Sequence, residues 1–135
     1  READAQANME EGAAFLATNA DKEGIVTTDS GLQYEVLREG DGPQPTAEDR
    51  VTIHYKGTLL DGTEFDSSYG GTPATFAVNG VIPGFTEALL MMNVGSHYRV
   101  FIPGELGYGA QGSGPQIGPN AMLTFEIEML EIAEQ

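Results

Sequence analysis

The chain has 135 residues, 40% of them hydrophobic, and no cysteine, which suits one domain with a single core and excludes a disulfide framework or a thiolate metal site. Its formal net charge of −15, from 21 acidic and 6 basic residues, repels phosphate backbones and anionic lipid and argues against nucleic-acid and membrane-surface roles. The two histidines, His54 and His97, are too few for a multi-histidine metal centre, and no apolar run approaches the roughly 20 residues of a membrane span.

Residues 1–23, "READAQANMEEGAAFLATNADKE", are rich in Ala, Glu and Gln and predict a helix stopped by Gly24. Phe15, Leu16, Ala13 and Met9 give it an apolar face. Alone such a helix is marginal in water, so it needs a surface to pack on, in this chain or in a second one. A chain that opens on Arg1, without methionine or a charged-then-apolar leader, reads as a processed or truncated piece. "TTDSG" at 27–31 predicts a turn into a main domain spanning 24–135.

There the period changes to two. Leu32, Tyr34 and Val36 alternate with polar residues in "GLQYEVL". Val51, Ile53 and Tyr55 share one face of "VTIHYKG", with Thr52, His54 and Lys56 on the other. "HYRVFIP" offers Tyr98, Val100 and Ile102. "LTFEIEML" sets Leu123, Phe125, Ile127 and Met129 against Thr124, Glu126 and Glu128. These patterns predict half-buried strands. Asp61-Gly62 marks a hairpin turn. In "FTEALLMMN" Phe85, Leu89 and Met92 recur at helical spacing, with Pro83 at the entry and Gly95 at the end. The fold class is therefore α+β, with antiparallel strands around one central helix.

The stretch "GYGAQGSGPQIGPN" at 107–120 contains G-x-G-x-x-G. A dinucleotide cradle needs a strand, the glycine turn and then a helix. Pro103-Gly104 interrupts before the motif, and Gly114, Pro115, Gly118 and Pro119 preclude a helix after it. There is no G-x-S-x-G elbow for a hydrolase. His54 and His97 read as solvated strand histidines, and Glu126 and Glu128 sit on the wet face of their strand. Asp66 in "EFDSS" stands apart: it reads either as a turn aspartate capping backbone amides or as a polar handle at the lip of an aromatic pocket. Phe65, Phe76, Val81, Ile82, Phe85, Tyr108 and Ile117 all lie in or beside glycine- and proline-bearing loops. Singly each reads as core packing; together they suggest an apolar ligand cleft.

From about Gly31 to Ile132 the chain resembles FKBP-type peptidyl-prolyl cis-trans isomerases, through "VTIHYKGTLLDGTEFDSS", "FAVNGVIPGFTEALLMMNVG", "IPGELGYGAQG" and "AMLTFEIEML" in that order. The leading "GAAFLATNADKEGIVTTDSGLQYEVL" is similar to the helix-to-domain junction of the bacterial Mip/FkpA group, whose members carry a helical dimerisation segment ahead of the isomerase domain. The resemblance implies five or six antiparallel strands curled around one short helix, with the active site between helix and sheet. The implied activity is rotation of X-Pro bonds in aid of protein folding, without a cofactor. A non-catalytic peptide-binding chaperone or adaptor of the same fold is the alternative.

By motif, the resemblance implies catalytic roles for Tyr55 ("HYKG"), Asp66 ("FDSS") and Tyr108 ("GYG"). It implies substrate-binding roles for Phe65, Phe76, Val81, Ile82, Phe125 and Phe85, the last standing where many members have tryptophan. Ile117 joins them from the flap. The implied partners are proline-containing polypeptides, macrolide inhibitors such as tacrolimus and rapamycin, and a second copy bound through the N-terminal helix. The implied location is periplasmic, with related cytoplasmic proteins as the other case. Two departures stand out: "YGGTPAT" is shorter than its eukaryotic counterpart, with Ala74 in place of a pocket phenylalanine, and Gly118 precedes Pro119 in the flap. Both imply a more open wall and weaker macrolide binding.

Overall fold

A computed structural model gives the structure of residues 2–133, and these are the residues described here. The predicted helix start at residue 1 and the domain end at 134–135 lie outside them. Helix α1 spans Glu2–Asn19 and stops short of the expected Gly24. Its last residue is spent elsewhere: the buried Asn19 amide donates to Gln33 Oε1 at 2.8 Å. Gly24, at φ +88, belongs instead to the turns that follow.

The strands are β1 (Val26–Thr27), β2 (Gln33–Arg38), β3 (Arg50–Leu59), β4 (Glu64–Ser67), β5 (Ala74–Ala77), β6 (His97–Ile102) and β7 (Leu123–Ala133); helix α2 spans Pro83–Met91. All strand pairs are antiparallel. The order is β1-β2-β6-β7-β3-β4, and β5 also pairs with β3. β4 meets the Lys56–Thr58 stretch of β3 and β5 its Arg50–Ile53 stretch, so the two occupy one edge in succession. The strands the sequence pattern did not suggest are the two-residue β1 and the four-residue β5.

Alternation supplies the core. Val51, Ile53, Val100, Ile102, Leu123, Ile127 and Met129 are fully buried, and α2 lays Ala88, Leu89 and Phe85 against them, followed by Met92. Burying such side chains is worth about 1.5–3 kcal/mol each. Pro83 occupies the first turn of α2, as expected. Gly95 does not end that helix, which stops at Met91; at φ +96 Gly95 forms the turn into β6. α2 comes close to β6 because Gly84 lacks a side chain, since a Cβ there would lie 2.6 Å from Ile102 Cγ2.

Period two fails on β2. Gln33, expected in water, is 3% exposed, while Val36, expected inside, is 41% exposed. α1 causes the first departure by lying over the outer face of β2 and β6. Gln33 Nε2 donates to the Leu16 carbonyl at 2.9 Å, a carbonyl that also accepts the Ala20 N–H at 2.9 Å. Phe15 packs on Phe101 with ring centroids 5.7 Å apart. Val36 pairs in register with the buried Tyr98 but lies past the stretch of β2 that β1 covers, at an open edge of the sheet. Replacing Asn19 with Ala leaves Gln33 Oε1 buried without its donor, so urea unfolding of Asn19→Ala is expected to show a loss of about 1–3 kcal/mol.

Candidate functional site

A cavity of about 450 Å³ opens between α2 and the concave side of the sheet. Tyr55 on β3 and Phe125 on β7 form its floor with Phe85 of α2; Phe65 and Asp66 come from β4 and Phe76 from β5. Val81, Ile82 and Gly80 line it from the segment before α2, and Tyr108 from the loop after β6. Nine of the ten residues predicted from sequence therefore meet here, while the tenth, Ile117, is outside the lining. Its side chain is buried in the core cluster, and its backbone closes the flap by pairing with Ser113. Gly80 was missed; its signal was the Asn79-Gly80 turn ahead of "VIPGF".

Two adjacent strand residues, Phe65 and Asp66, line the same cavity because β4 bulges. Gly57 pairs with Asp66 but Thr58 pairs with Glu64, so Phe65 is the extra residue. Gly57 makes the room: a Cβ there would stand 2.6 Å from Phe65 Cζ and 2.7 Å from Phe125 Cε1. Those two rings meet edge to face at 5.6 Å and 88°, and Phe85 meets Phe125 in the same way at 5.0 Å and 83°. Tyr55 meets Phe76 at 5.7 Å. Perpendicular rings of this kind hold one another rigid beyond their area burial. On the α2 side, Pro83 forces Ile82 into an extended conformation, at φ −60 and ψ 152. As the N-cap residue, Ile82 has an N–H outside the helix ladder.

Beside the Tyr108 side chain, the polar element of the wall is a hydrogen-bonded pair. The Tyr55 hydroxyl donates to Asp66 Oδ2 at 2.7 Å, and Asp66 Oδ1 accepts the Ser67 N–H at 2.9 Å. Asp66 thus accepts one backbone amide of its own strand and lines the cavity beside Tyr55. Burial, then the bond to Asp66 and its charge, push the Tyr55 hydroxyl up to about 12, so it remains a neutral donor at physiological pH.

Neither histidine is simply solvated. His54 stacks on Tyr69 at 4.8 Å, and its Nδ1 lies 2.9 Å from Ser68 Oγ. This is no nucleophile–base pair facing the cavity: Ser68 Oγ accepts the Tyr55 N–H at 2.8 Å, and His54 is on the opposite face of β3 from Tyr55. His97 Nε2 lies 3.2 Å from Glu126, which also takes Arg99. Among the described residues, no cluster of His, Cys, Asp or Glu has the grouping of a metal site, and no helix is long and apolar enough to cross a membrane. Residues 107–120 form tight turns with no helix after the glycines, so the cradle geometry is absent there.

Comparison with known proteins follows the same residues. The sequence model of the FKBP-type peptidyl-prolyl cis-trans isomerase matches residues 42–130, and that of the domain amino terminal to it matches residues 1–36. The FKBP-type 22 kDa peptidyl-prolyl cis-trans isomerase of Escherichia coli K12 is 53% identical over 128 residues, which are 94% of this chain and 62% of that protein. The Outer membrane protein MIP of Legionella longbeachae is 49% identical over 129 residues, 95% of this chain and 55% of that protein. The crystal structure of FkpA from Escherichia coli superposes with a TM-score of 0.93 at 42% identity, covering 97% of this chain and 62% of that one. The chain spans about half to three-fifths of the length of the curated relatives it matches.

Two outcomes test this geometry. Gly57→Ala drives a methyl group into both rings and is expected to lower stability by about 1–3 kcal/mol, read from the chemical unfolding midpoint. The raised Tyr55 pKa favours folding below pH 10, and this advantage is lost as pH rises through about 12. The stability difference between the native chain and Tyr55→Phe is therefore expected to shrink across that window and to stay flat between pH 6 and 9.

Proposed function

This chain belongs to the family of FKBP-type peptidyl-prolyl cis-trans isomerases, and on that footing we propose that it catalyses rotation about X-Pro bonds in proline-containing polypeptides. The carrying observation is the aromatic cup of Phe65, Phe85 and Phe125 with one carboxylate–phenol pair at its lip. The X-Pro bond resists rotation by roughly 18–20 kcal/mol because resonance gives C–N double-bond character. No covalent bond breaks, so the reaction requires no nucleophile. A planar amide is more polar than a twisted one and loses more on leaving water. A dry aromatic cup therefore favours the twisted form, which is binding directed at the transition state.

In this reading Phe65, Phe76, Val81, Phe85 and Phe125 receive the proline ring. The Ile82 N–H and the Tyr108 hydroxyl hold substrate carbonyls. Asp66 and Tyr55 fix each other and set the polarity beside the rotating carbonyl. Ile117 serves the substrate indirectly, as the buried anchor of the flap. Macrolides that mimic a proline peptide belong to the same cup. We further read residues 1–23 as the end of a dimerisation segment ahead of an isomerase domain over 24–135, and the protein as an envelope protein of the periplasm; the match of residues 1–36 to a domain amino terminal to such isomerases supports a distinct leading segment, and the name of one relative, Outer membrane protein MIP, supports the envelope.

A protease-coupled assay on an X-Pro peptide is expected to show catalysed isomerisation at micromolar protein. An uncatalysed rate would overturn the enzyme and leave a peptide-binding adaptor. Phe85 is only 5% exposed, so Phe85→Ala would cost about 3–5 kcal/mol in the core and confuse the readout. Asp66→Ala is the clean variant: Asp66 is exposed, and its loss is expected to reduce kcat/KM at least tenfold (about 1.4 kcal/mol) while the unfolding midpoint stays close to native.

A further inference from the structure

α1 touches the flap as well as the sheet. Asn8 Nδ2 donates to the Pro119 carbonyl at 2.9 Å, and Asn120 Nδ2 donates back to the Ala5 carbonyl at 3.4 Å. Asn120 is the one described non-glycine residue at positive φ, 59°, so this corner is held in a conformation that side chains rarely adopt. Its backbone N–H donates to the Gly109 carbonyl at 2.7 Å, and Gly109 directly follows Tyr108. The chain of contacts therefore runs from α1 through Pro119 and Asn120 to the base of Tyr108.

Asn8 also borders a hollow. A cavity of about 270 Å³ lies between α1, the Asp61 hairpin and the flap, with Asn8, Glu11, Gln116 and Gly118 on its wall. Ile117 and Pro119 are buried beneath this corner, and the Asn8 bond adds a directional hold on it from α1. The fit is tight at one point, where a Cβ on Gly118 would lie 3.1 Å from Asn8 Nδ2.

We infer that Asn8 is a positioning residue for the cleft: from α1 it fixes the Pro119–Asn120 corner, and through the Asn120–Gly109 bond it sets where the Tyr108 hydroxyl stands over the aromatic cup. The inference rests on the isomerase reading of that cleft. Tyr108 holds a substrate carbonyl there, so Asn8 acts on substrate grip more than on rotation.

Asn8→Ala removes the donor and improves helix propensity, so the variant folds. Its KM for an X-Pro peptide is expected to rise about three- to tenfold with kcat within about twofold of native, the signature of lost uniform binding. Asn8→Gln, which restores the donor, is expected to recover most of that loss. In a Tyr108→Phe background Asn8→Ala is expected to have no further effect on KM. Hydrogen exchange read by mass spectrometry is expected to quicken across residues 109–120 in Asn8→Ala alone, whether or not the chain turns over peptide. Unchanged exchange there would overturn the clamp. An equal KM rise with and without the Tyr108 hydroxyl would overturn its link to the cleft. Altered exchange in a chain with no isomerase activity would keep the clamp, sink the link to catalysis, and overturn the proposed function separately.

Discussion

Phe65 and Asp66, neighbours in sequence, face one cleft because β4 carries one residue more than β3 across the same stretch. The bulge directs an aromatic ring and a carboxylate to the same side, and the missing side chain of Gly57 leaves space for the ring. Phe125 can then meet Phe65 at right angles, and Phe85 can meet Phe125. Asp66 comes level with the Tyr55 hydroxyl two residues along β3. Without the extra residue, strand alternation would send either the ring or the carboxylate to the outer face.

Much of this was legible in the sequence, because the strands that carry the cleft alternate cleanly. Val51, Ile53 and Tyr55, and then Leu123, Phe125 and Ile127, point inward as period two requires. The helical spacing of Phe85 and Leu89 likewise gave the packed face of α2. The pattern failed where a second layer or an uncovered strand edge intervened. Gln33 is buried because α1 lies over it, and no reading of β2 by itself contains α1. His54 looked solvated because its partners, Ser68 and Tyr69, arrive from a loop fourteen and fifteen residues downstream. Ile117 was assigned by analogy of motif, and the Ser113–Ile117 bridge turns its side chain into the core instead.

The outer face of the sheet carries a different chemistry. Arg99 reaches both Glu35 and Glu126, Arg38 reaches Glu128, and the Tyr69 hydroxyl donates to Glu128 at 2.9 Å. The bond from Arg38 holds the Glu128 carboxyl below its ordinary range, while burial and then the bond to Glu128 raise the Tyr69 hydroxyl to about 12. Partly exposed pairs of this kind are worth about 0–1 kcal/mol each. They engage two arginines away from the cleft, in a chain where acids far outnumber bases.

The position of β7 has a consequence for how the molecule is made. It lies between β6 and β3 and pairs with β3 along nearly its whole length, so that residue 127 must find residue 55. During synthesis the earlier strands leave the ribosome with the inner edges of β3 and β6 unpaired. The aromatic cup then lacks Phe125, and the sheet cannot close until residues 123–133 emerge. A contact of such sequence separation is slow to form, because the loop entropy is lost before the pairing is gained. A nascent chain that ends short of residue 123 has neither of those strand edges covered, because one strand, β7, pairs with both.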